Sequence, residues 1–179
     1  MNSKSGITIV EILVTISVMA ILSSILIIYN RTAERQLILF KEQARLVSTL
    51  NRAKGLAMAL FREIPPIPCG YGVHISSAAS TYLIFRNLPD AGGKCDNSDN
   101  EWSGPGENFG DVIQIDKAVE IDSASTTLQD VFFIPPDPKT IINNITSTIE
   151  AEVVIKIKGS IGSNRKVIKV NKAVHITTD

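Results

Sequence analysis

Neither sign of charge dominates this sequence, because 18 acidic residues balance 18 basic ones. The balance gives no overall attraction toward nucleic acid or anionic lipid. The sequence also lacks a glycine-rich phosphate loop, a metalloprotease helix motif and a nucleophile elbow. The two histidines, His74 and His175, each lie in an alternating apolar pattern, where a surface or edge position is expected. We therefore expect neither an enzyme nor a cofactor.

Cysteine is equally scarce, since it occurs only as Cys69 and Cys95. Both residues follow the apolar segment near the start of the chain. If that part of the chain lies outside the cytoplasm, a disulfide between them is expected, which would stabilise the fold by about 2–4 kcal/mol. Two free, buried thiols are the alternative.

Charge is nearly missing from residues 7–28, where Glu11 is the single charged side chain. As a helix rising about 1.5 Å per residue, this stretch would extend about 33 Å, enough to cross the apolar core of a bilayer. A conventional secretory signal fits less well, because its apolar core is shorter and ends at a small-residue cleavage site. A membrane carboxylate costs about 2.5 kcal/mol or more without a partner, so Glu11 requires a physical reason.

A second apolar pattern follows, in which apolar residues recur every three or four positions along one helical face. Its members are Ala33, Leu37, Phe40, Ala44, Val47, Leu50, Ala53, Ala57 and Leu60. No proline interrupts the chain before Pro65, so the sequence predicts one helix over residues 7–61 that ends at the prolines of residues 65–68.

After the prolines the apolar residues alternate with a period of two, which is typical of strands. Strands are predicted at residues 71–75, 82–85, 112–115, 131–134 and 174–176, and a hairpin at 152–170 with its turn at 159–164. These strands follow one helix without βαβ alternation, which indicates an antiparallel sheet packed on the second half of that helix. The predicted class is therefore α+β, with a long N-terminal helix, transmembrane in its first half and amphipathic in its second, packed on a C-terminal antiparallel β-rich domain.

The segment at residues 4–11, with the sequence KSGITIVE, carries a specific resemblance. It is similar to the prepilin cleavage and methylation motif of the type IV pilin and pseudopilin family. By this resemblance, prepilin peptidase cleaves between Gly6 and Ile7, the new amine of Ile7 is methylated, and Glu11 becomes the fifth residue of the mature chain. The family usually has phenylalanine where Ile7 stands. Many of its major subunits also carry a late helical proline that is absent here, which suits a minor subunit.

The resemblance implies a leader at residues 1–6, a transmembrane helix at 7–29, an amphipathic continuation at 30–62 and a β-rich globular domain at 63–179. The chain would cross the bacterial inner membrane once, with its globular domain outside the cytoplasm, and later enter a pilus or pseudopilus. Its partners would be prepilin peptidase, membrane lipid along residues 7–29, other pilin or pseudopilin subunits and the inner-membrane assembly platform. Glu11 would pair with the free amine of a neighbouring subunit, because a buried carboxylate needs a cation.

A second resemblance concerns residues 130–138, with the sequence DVFFIPPDP. They are similar to the strand and Pro-Pro turn of the GspH/FimT type of minor pseudopilin, whose β-rich domain continues into a C-terminal hairpin. Two prolines after an apolar strand also end that strand on purely physical grounds. The implied function is a structural subunit of a type II secretion pseudopilus or a type IV pilus, and the sequence leaves the choice between secretion, pilus and competence systems open.

Two alternatives concern the kind of protein. The predicted hairpin is basic, which would allow a DNA-binding minor pilin of a DNA-uptake system, with Lys156, Lys158, Arg165, Lys166, Lys169 and Lys172 on the DNA backbone. Interleaved aromatic residues are missing, so solvated strand faces are favoured over a DNA site. A conventionally secreted or anchored domain with an unknown ligand is the other alternative.

The loop at residues 90–110 is rich in glycine, asparagine and aspartate, and Trp102, its largest aromatic residue, is its predicted anchor. Within this loop, Asp96, Asp99 and Glu101 offer oxygen atoms of the kind that calcium binds. The segment lacks the register and the glycine of an EF-hand loop. A solvated loop is therefore favoured over a calcium site, and no other metal is expected.

Overall fold

The computed structural model describes residues 8–59, 67–95, 99–135, 139–145, 149–160, 164–173 and 175–178, and only the backbone at 26–32. The chain divides into two units, Met1–Leu37 and Ile38–Asp179. The described residues form a long α-helix, a 3₁₀ turn at Pro105–Glu107 and nine β-strands. Every strand pairing is antiparallel, and the predicted α+β class is confirmed.

The helix, α1, spans Ile9–Ala59. Thr8 directly precedes the helix, and its carbonyl accepts hydrogen bonds from the amides of Glu11 and Ile12 at 3.1 and 3.3 Å. The predicted helix start at residue 7 and the predicted end at residue 61 lie outside the described residues. Of the proline segment at 65–68, only residues 67 and 68 are described. Within the part of the chain that the structure describes, no helix is both long and apolar enough to cross a membrane.

The nine strands are β1 Gly70–Ser76, β2 Thr81–Asn87, β3 Ile113–Gln114, β4 Val119–Ile121, β5 Asp130–Ile134, β6 Lys139–Ile142, β7 Glu150–Ile157, β8 Arg165–Asn171 and β9 Ile176–Thr178. They form two sheets, whereas the sequence pattern suggested one. Sheet A has the order β3-β2-β1-β5-β6, and sheet B has the order β4-β7-β8-β9.

The predicted C-terminal hairpin is confirmed by β7 and β8, which pair Val153 with Ile168 and Ile155 with Lys166. Val153, Ile155 and Ile157 are buried on one face, as the alternation predicts. Val154 is also buried, although the pattern placed it on the opposite face. Gly159 has a φ of +74°, the left-handed conformation expected in the turn.

One core cluster unites the second unit. Helix α1 contributes Leu39, Leu46, Leu50, Ala53 and Ala57, which pack with apolar side chains from both sheets. The predicted stripe is confirmed from Val47 to Ala57, since Val47 packs against this core and Leu50, Ala53 and Ala57 are buried. It is wrong closer to the N-terminus, where Leu37 and Phe40 are 71% and 51% exposed. Leu60 lies outside the described residues. The spacing of the predicted stripe averages fewer than 3.6 residues, so the stripe winds around the helix and its first members turn away from the core.

A smaller cluster covers the other face of sheet A. Leu83, Phe85, Phe132 and Ile141 are buried there, with Trp102 packed against them. The rings of Phe85 and Phe132 stack with their centroids 5.8 Å apart. Trp102 thus anchors its loop over the sheet, as the sequence predicts.

The aromatic rings of this smaller cluster lie so close to β1 that two positions there must be glycine. A Cβ atom at Gly70 would lie 2.6 Å from the Phe132 ring. A Cβ atom at Gly72 would press on the Phe85 ring and lie 2.7 Å from the carbonyl oxygen of Val131. Real Cβ atoms do not approach neighbours so closely, so these glycines allow the outer face of sheet A to be covered.

Candidate functional site

The N-terminal part of α1 presents apolar side chains all round. Every described side chain from Thr8 to Ile25 is exposed. The large apolar ones range from 49% to 80% exposed: Ile9, Val10, Ile12, Leu13, Val14, Ile16, Val18, Met19, Ile21, Leu22 and Ile25. A helix that is apolar on all sides needs a cover, and contiguous exposed apolar surface of this kind marks a site of interaction with protein or membrane.

Three hydroxyl groups in this part of the helix donate to its own backbone. Thr15 donates to the Ile12 carbonyl, and Ser17 to the Leu13 carbonyl, each at 2.8 Å. Ser24 donates to the Ala20 carbonyl at the same distance. Because these polar groups are satisfied within the helix, they do not prevent it from entering an apolar environment.

Glu11 lies in the first turn of α1, and the structure gives it a local role that the sequence reasoning missed. The amide of Glu11 donates to the side-chain oxygen of Thr8 at 3.3 Å. Thr8 and Glu11 have the spacing of a capping box, and a carboxylate in the first turn interacts favourably with the helix dipole. The sequence signal for this capping box was the threonine three residues before the glutamate. The predicted cleavage site, Gly6 and Ile7, lies outside the described residues.

Cys69 and Cys95 form a disulfide in the structure, with their Cα atoms 5.5 Å apart. Cys69 is buried beside the start of β1, and its amide donates to the Asn87 carbonyl at 2.8 Å. Cys95 is exposed in the loop that follows β2. The crosslink therefore ties this loop to the beginning of β1.

His74 corrects an expectation, because it lies on β1 in the middle of sheet A and not at an edge. Its side chain is 20% exposed, and its Nδ1 lies 2.9 Å from Oδ1 of Asp130. The imidazole also packs on the indole of Trp102 with the ring centroids 4.4 Å apart. His175, by contrast, is exposed as expected.

The predicted calcium residues are not brought together by the described part of the chain. Asp99 accepts a hydrogen bond from the Asn87 side chain at 3.0 Å and another from the Ser103 hydroxyl. Asp96 lies outside the described residues. Among the residues that are described, no three acidic, histidine or cysteine side chains form a group able to hold a metal ion.

The basic hairpin is partly neutralised by its own neighbours. Lys156 donates to Asp122 at 2.9 Å and lies 3.6 Å from Glu120. This hydrogen bond raises the pKa of Lys156 and lowers the pKa of Asp122. The ammonium of Lys166 lies over the ring of Phe40, 4.6 Å from its centroid. Lys156 and Lys166 thus already have partners within the fold.

A groove of about 410 Å³ lies in the second unit, between α1 and the chain that leads into β3. We call it the arginine groove, and its lining includes Arg45, Arg52, Phe109, Asp111, Val112 and Gln114. Arg45 donates to the Gln114 carbonyl at 3.4 Å. Sequence reasoning missed this groove because its walls are distant in the chain. Two arginines seven residues apart, on one helical face, were the available signal.

No family model, no curated protein and no solved structure matches this chain. Functional inference therefore depends on the residues and contacts described above.

Proposed function

We propose that this chain is a minor pilin or pseudopilin, a structural subunit of a type II secretion pseudopilus or a type IV pilus, and not an enzyme. The observation that carries the proposal is the change of character along α1. Its first part exposes apolar side chains on every side, and its second part packs on antiparallel sheets. A subunit that is first held in lipid and then packed into a fibre needs both parts, joined in one element.

The leader-like segment that precedes α1 supports the same proposal. Residues 1–6 are the leader, prepilin peptidase cleaves between Gly6 and Ile7, and the new amine of Ile7 is methylated. Residues 7–29 then form the membrane helix, with the globular domain outside the cytoplasm. The hydroxyl bonds of Thr15, Ser17 and Ser24 to helix carbonyls suit this placement, because lipid offers no other partners.

Assembly is the proposed mechanism. Apolar helices leave the bilayer through the inner-membrane assembly platform and pack against the helices of other subunits. Glu11 pairs with the amine of Ile7 on a neighbouring chain, and the low dielectric of the helix bundle strengthens this attraction. The capping contact with Thr8 holds the first turn of α1 in place, so that the carboxylate is presented at a fixed depth.

Intact-mass measurement of membrane fractions tests the proposal. In a host with active prepilin peptidase, the chain should lose residues 1–6 and begin at Ile7 with a methylated amine. The variant Gly6→Val should keep its leader, because a branched side chain obstructs a cleavage site shaped for glycine. Wild-type protein that retains residues 1–6 in that host, or that is cut elsewhere, would refute the proposal and favour a conventionally secreted or anchored domain.

A further inference from the structure

The arginine groove contains one guanidinium group, that of Arg52, that no described residue neutralises. The other, that of Arg45, lies 3.9 Å from the carboxylate of Glu42. Between Ile38 and Ala59 the one acidic residue is Glu42, which is 4% exposed, whereas Arg45 and Arg52 are exposed. Arg52 forms no ion pair or hydrogen bond with any described residue. Asp111 stands in the same lining, yet no described ion pair joins it to Arg52. A guanidinium placed in a groove without a partner is suited to an anionic group brought by another molecule.

The groove also runs beside an open sheet edge. β3 lies at one edge of sheet A, and among the described residues it pairs with β2 alone. Arg45 reaches this edge, since it donates to the carbonyl of Gln114 in β3. Val112, immediately before β3, is an apolar side chain that is 52% exposed. Because Arg45 already donates to the Gln114 carbonyl, an extended segment beside this short edge is held mainly by side-chain contacts and by the guanidinium groups.

The spacing of the two arginines suits an extended peptide. Seven residues of α-helix advance about 10.5 Å and return to the same face, so both guanidinium groups emerge on the side of the groove. In an extended chain, carboxylates two residues apart lie on one side and are separated by about 7 Å. The two arginines are thus farther apart along the helix than the two carboxylates are along the peptide, and their long side chains can converge to close this gap. An acidic residue at every second position would therefore meet both.

The lining favours a peptide over a nucleic acid. Phe109 is its single aromatic residue, and the ring already packs edge-on against Tyr71 with centroids 5.0 Å apart. Arg86 lies over the same ring at 5.9 Å, so the protein's own side chains already engage the ring, which disfavours the stacking of a base on it. Asp111 can accept hydrogen bonds from peptide amides, whereas a phosphate backbone offers it no donor.

We propose that the arginine groove binds an extended acidic segment of a neighbouring polypeptide, with the segment beside β3 and its carboxylates on Arg45 and Arg52. The identity of that neighbour as another fibre subunit rests on the proposed function. Binding of the segment itself does not, because it depends only on residues of the second unit. A failed leader cleavage and a failed peptide interaction are therefore separate outcomes.

Fluorescence anisotropy with a labelled peptide of alternating glutamate and threonine tests the proposal on the full chain in mild detergent. The peptide should bind, and its counterpart with glutamine in place of glutamate should not. Arg52→Gln should weaken binding by about tenfold or more, since a charge-assisted hydrogen bond is lost. Lys41→Gln removes the same charge from an exposed residue of the same helix outside the groove, and it should change binding by less than about twofold.

Three outcomes would overturn the proposal. Arg52→Gln could bind the acidic peptide as well as the wild type does, or Lys41→Gln could weaken binding equally. The glutamine peptide could also bind as tightly as the glutamate peptide. A single-stranded oligonucleotide that binds more tightly than the peptide, with a dependence on Arg52, would replace the peptide by a nucleic acid as the ligand.

Discussion

His74 and Asp130 face each other across β1 and β5, and Nδ1 of the histidine lies 2.9 Å from Oδ1 of the aspartate. Trp102 contacts both residues, because its ring packs on His74 and its amide donates to the same Asp130 oxygen at 3.3 Å. The indole nitrogen donates in turn to Asn108 at 2.8 Å. One buried carboxylate therefore fastens the loop around Trp102 to two central strands of sheet A.

Asp130→Ala should loosen this loop. The substitution leaves the Trp102 amide and the His74 ring without their acceptor, which should lower the free energy of unfolding by about 1–3 kcal/mol. The chain has a single tryptophan, Trp102, so the protein's tryptophan fluorescence reports on this loop. When the loop loosens, the emission should shift toward that of a solvated indole. Asp111→Ala, at an exposed carboxylate, is the control and should change neither quantity. Equal emission and equal stability in both variants would show that Asp130 does not hold the loop.

The buried carboxyl group of Glu42 should make the stability of the protein depend on pH. Burial raises the pKa of Glu42 above its ordinary value of 4.5, although the nearby Arg45 lowers it. Its Oε2 atom lies 3.9 Å from Nη1 of Arg45 and accepts no hydrogen bond within the described residues. A group with a raised pKa in the folded state binds its proton more tightly there. Its stabilising contribution is therefore complete below pH 4.5 and is lost as the pH rises through the folded-state pKa.

Glu42→Gln removes this titration. We expect the variant to gain stability relative to the wild type as the pH is raised from about 4 to about 7, because the neutral amide avoids burying a charge. Urea unfolding of both proteins at several pH values measures the difference. If the stability difference is constant over that range, or falls as the pH rises, the environment of Glu42 has been described wrongly.

The disulfide gives a prediction about the loop after β2. In denatured, unreduced protein neither Cys69 nor Cys95 should react with a thiol label. Cys95→Ser should lower the free energy of unfolding by about 2–4 kcal/mol, because the crosslink no longer restricts the unfolded chain. Cys95 is the better position to replace, since it is exposed whereas Cys69 is buried. Full labelling of both cysteines without reduction would contradict the prediction.

The sequence predicts the four longest strands and misses β4 and β6, for a physical reason. β1, β2, β7 and β8 have seven or eight residues each, enough for an alternating pattern to repeat. β4 has three residues and β6 has four, so their apolar residues do not establish a period. Alternation also reports which side chains share a face and not which strands pair. Two sheets with similar patterns were therefore predicted as one.

The functional residues divide in the same way. Candidates within one segment, such as Glu11 and the proposed leader at residues 1–6, can be predicted from sequence because their spacing is local. The arginine groove joins Arg45 with Gln114 across a long stretch of chain, and no sequence pattern links them. His74 was misplaced because alternation cannot tell a central strand from an edge strand. Leu39 and Leu46 were missed because two overlapping apolar faces run along α1.

The contact between Thr8 and Glu11 makes the proposed assembly role of Glu11 testable, because capping and charge pairing can be separated. Glu11→Gln keeps a residue that suits a capping box but removes the charge. Thr8→Ala does the reverse: it removes the cap, at a cost of about 1 kcal/mol to the helix, and keeps the carboxylate. Pairing with the amine of Ile7 on an adjacent chain requires the charge. We therefore expect Glu11→Gln to assemble poorly and Thr8→Ala to assemble nearly as well as the wild type.

Co-purification of tagged variants with sheared fibres, normalised to the membrane-inserted protein, measures this difference. Glu11→Ala should behave as Glu11→Gln does, with cleavage and membrane insertion intact, because the carboxylate only adds a cost in lipid. If Thr8→Ala and Glu11→Ala fail while Glu11→Gln assembles, the residue acts through the helix cap and not through its charge. If every variant assembles as the wild type does, Glu11 has no role in assembly. The proposed subunit function would then lose its mechanism of pairing between neighbouring chains.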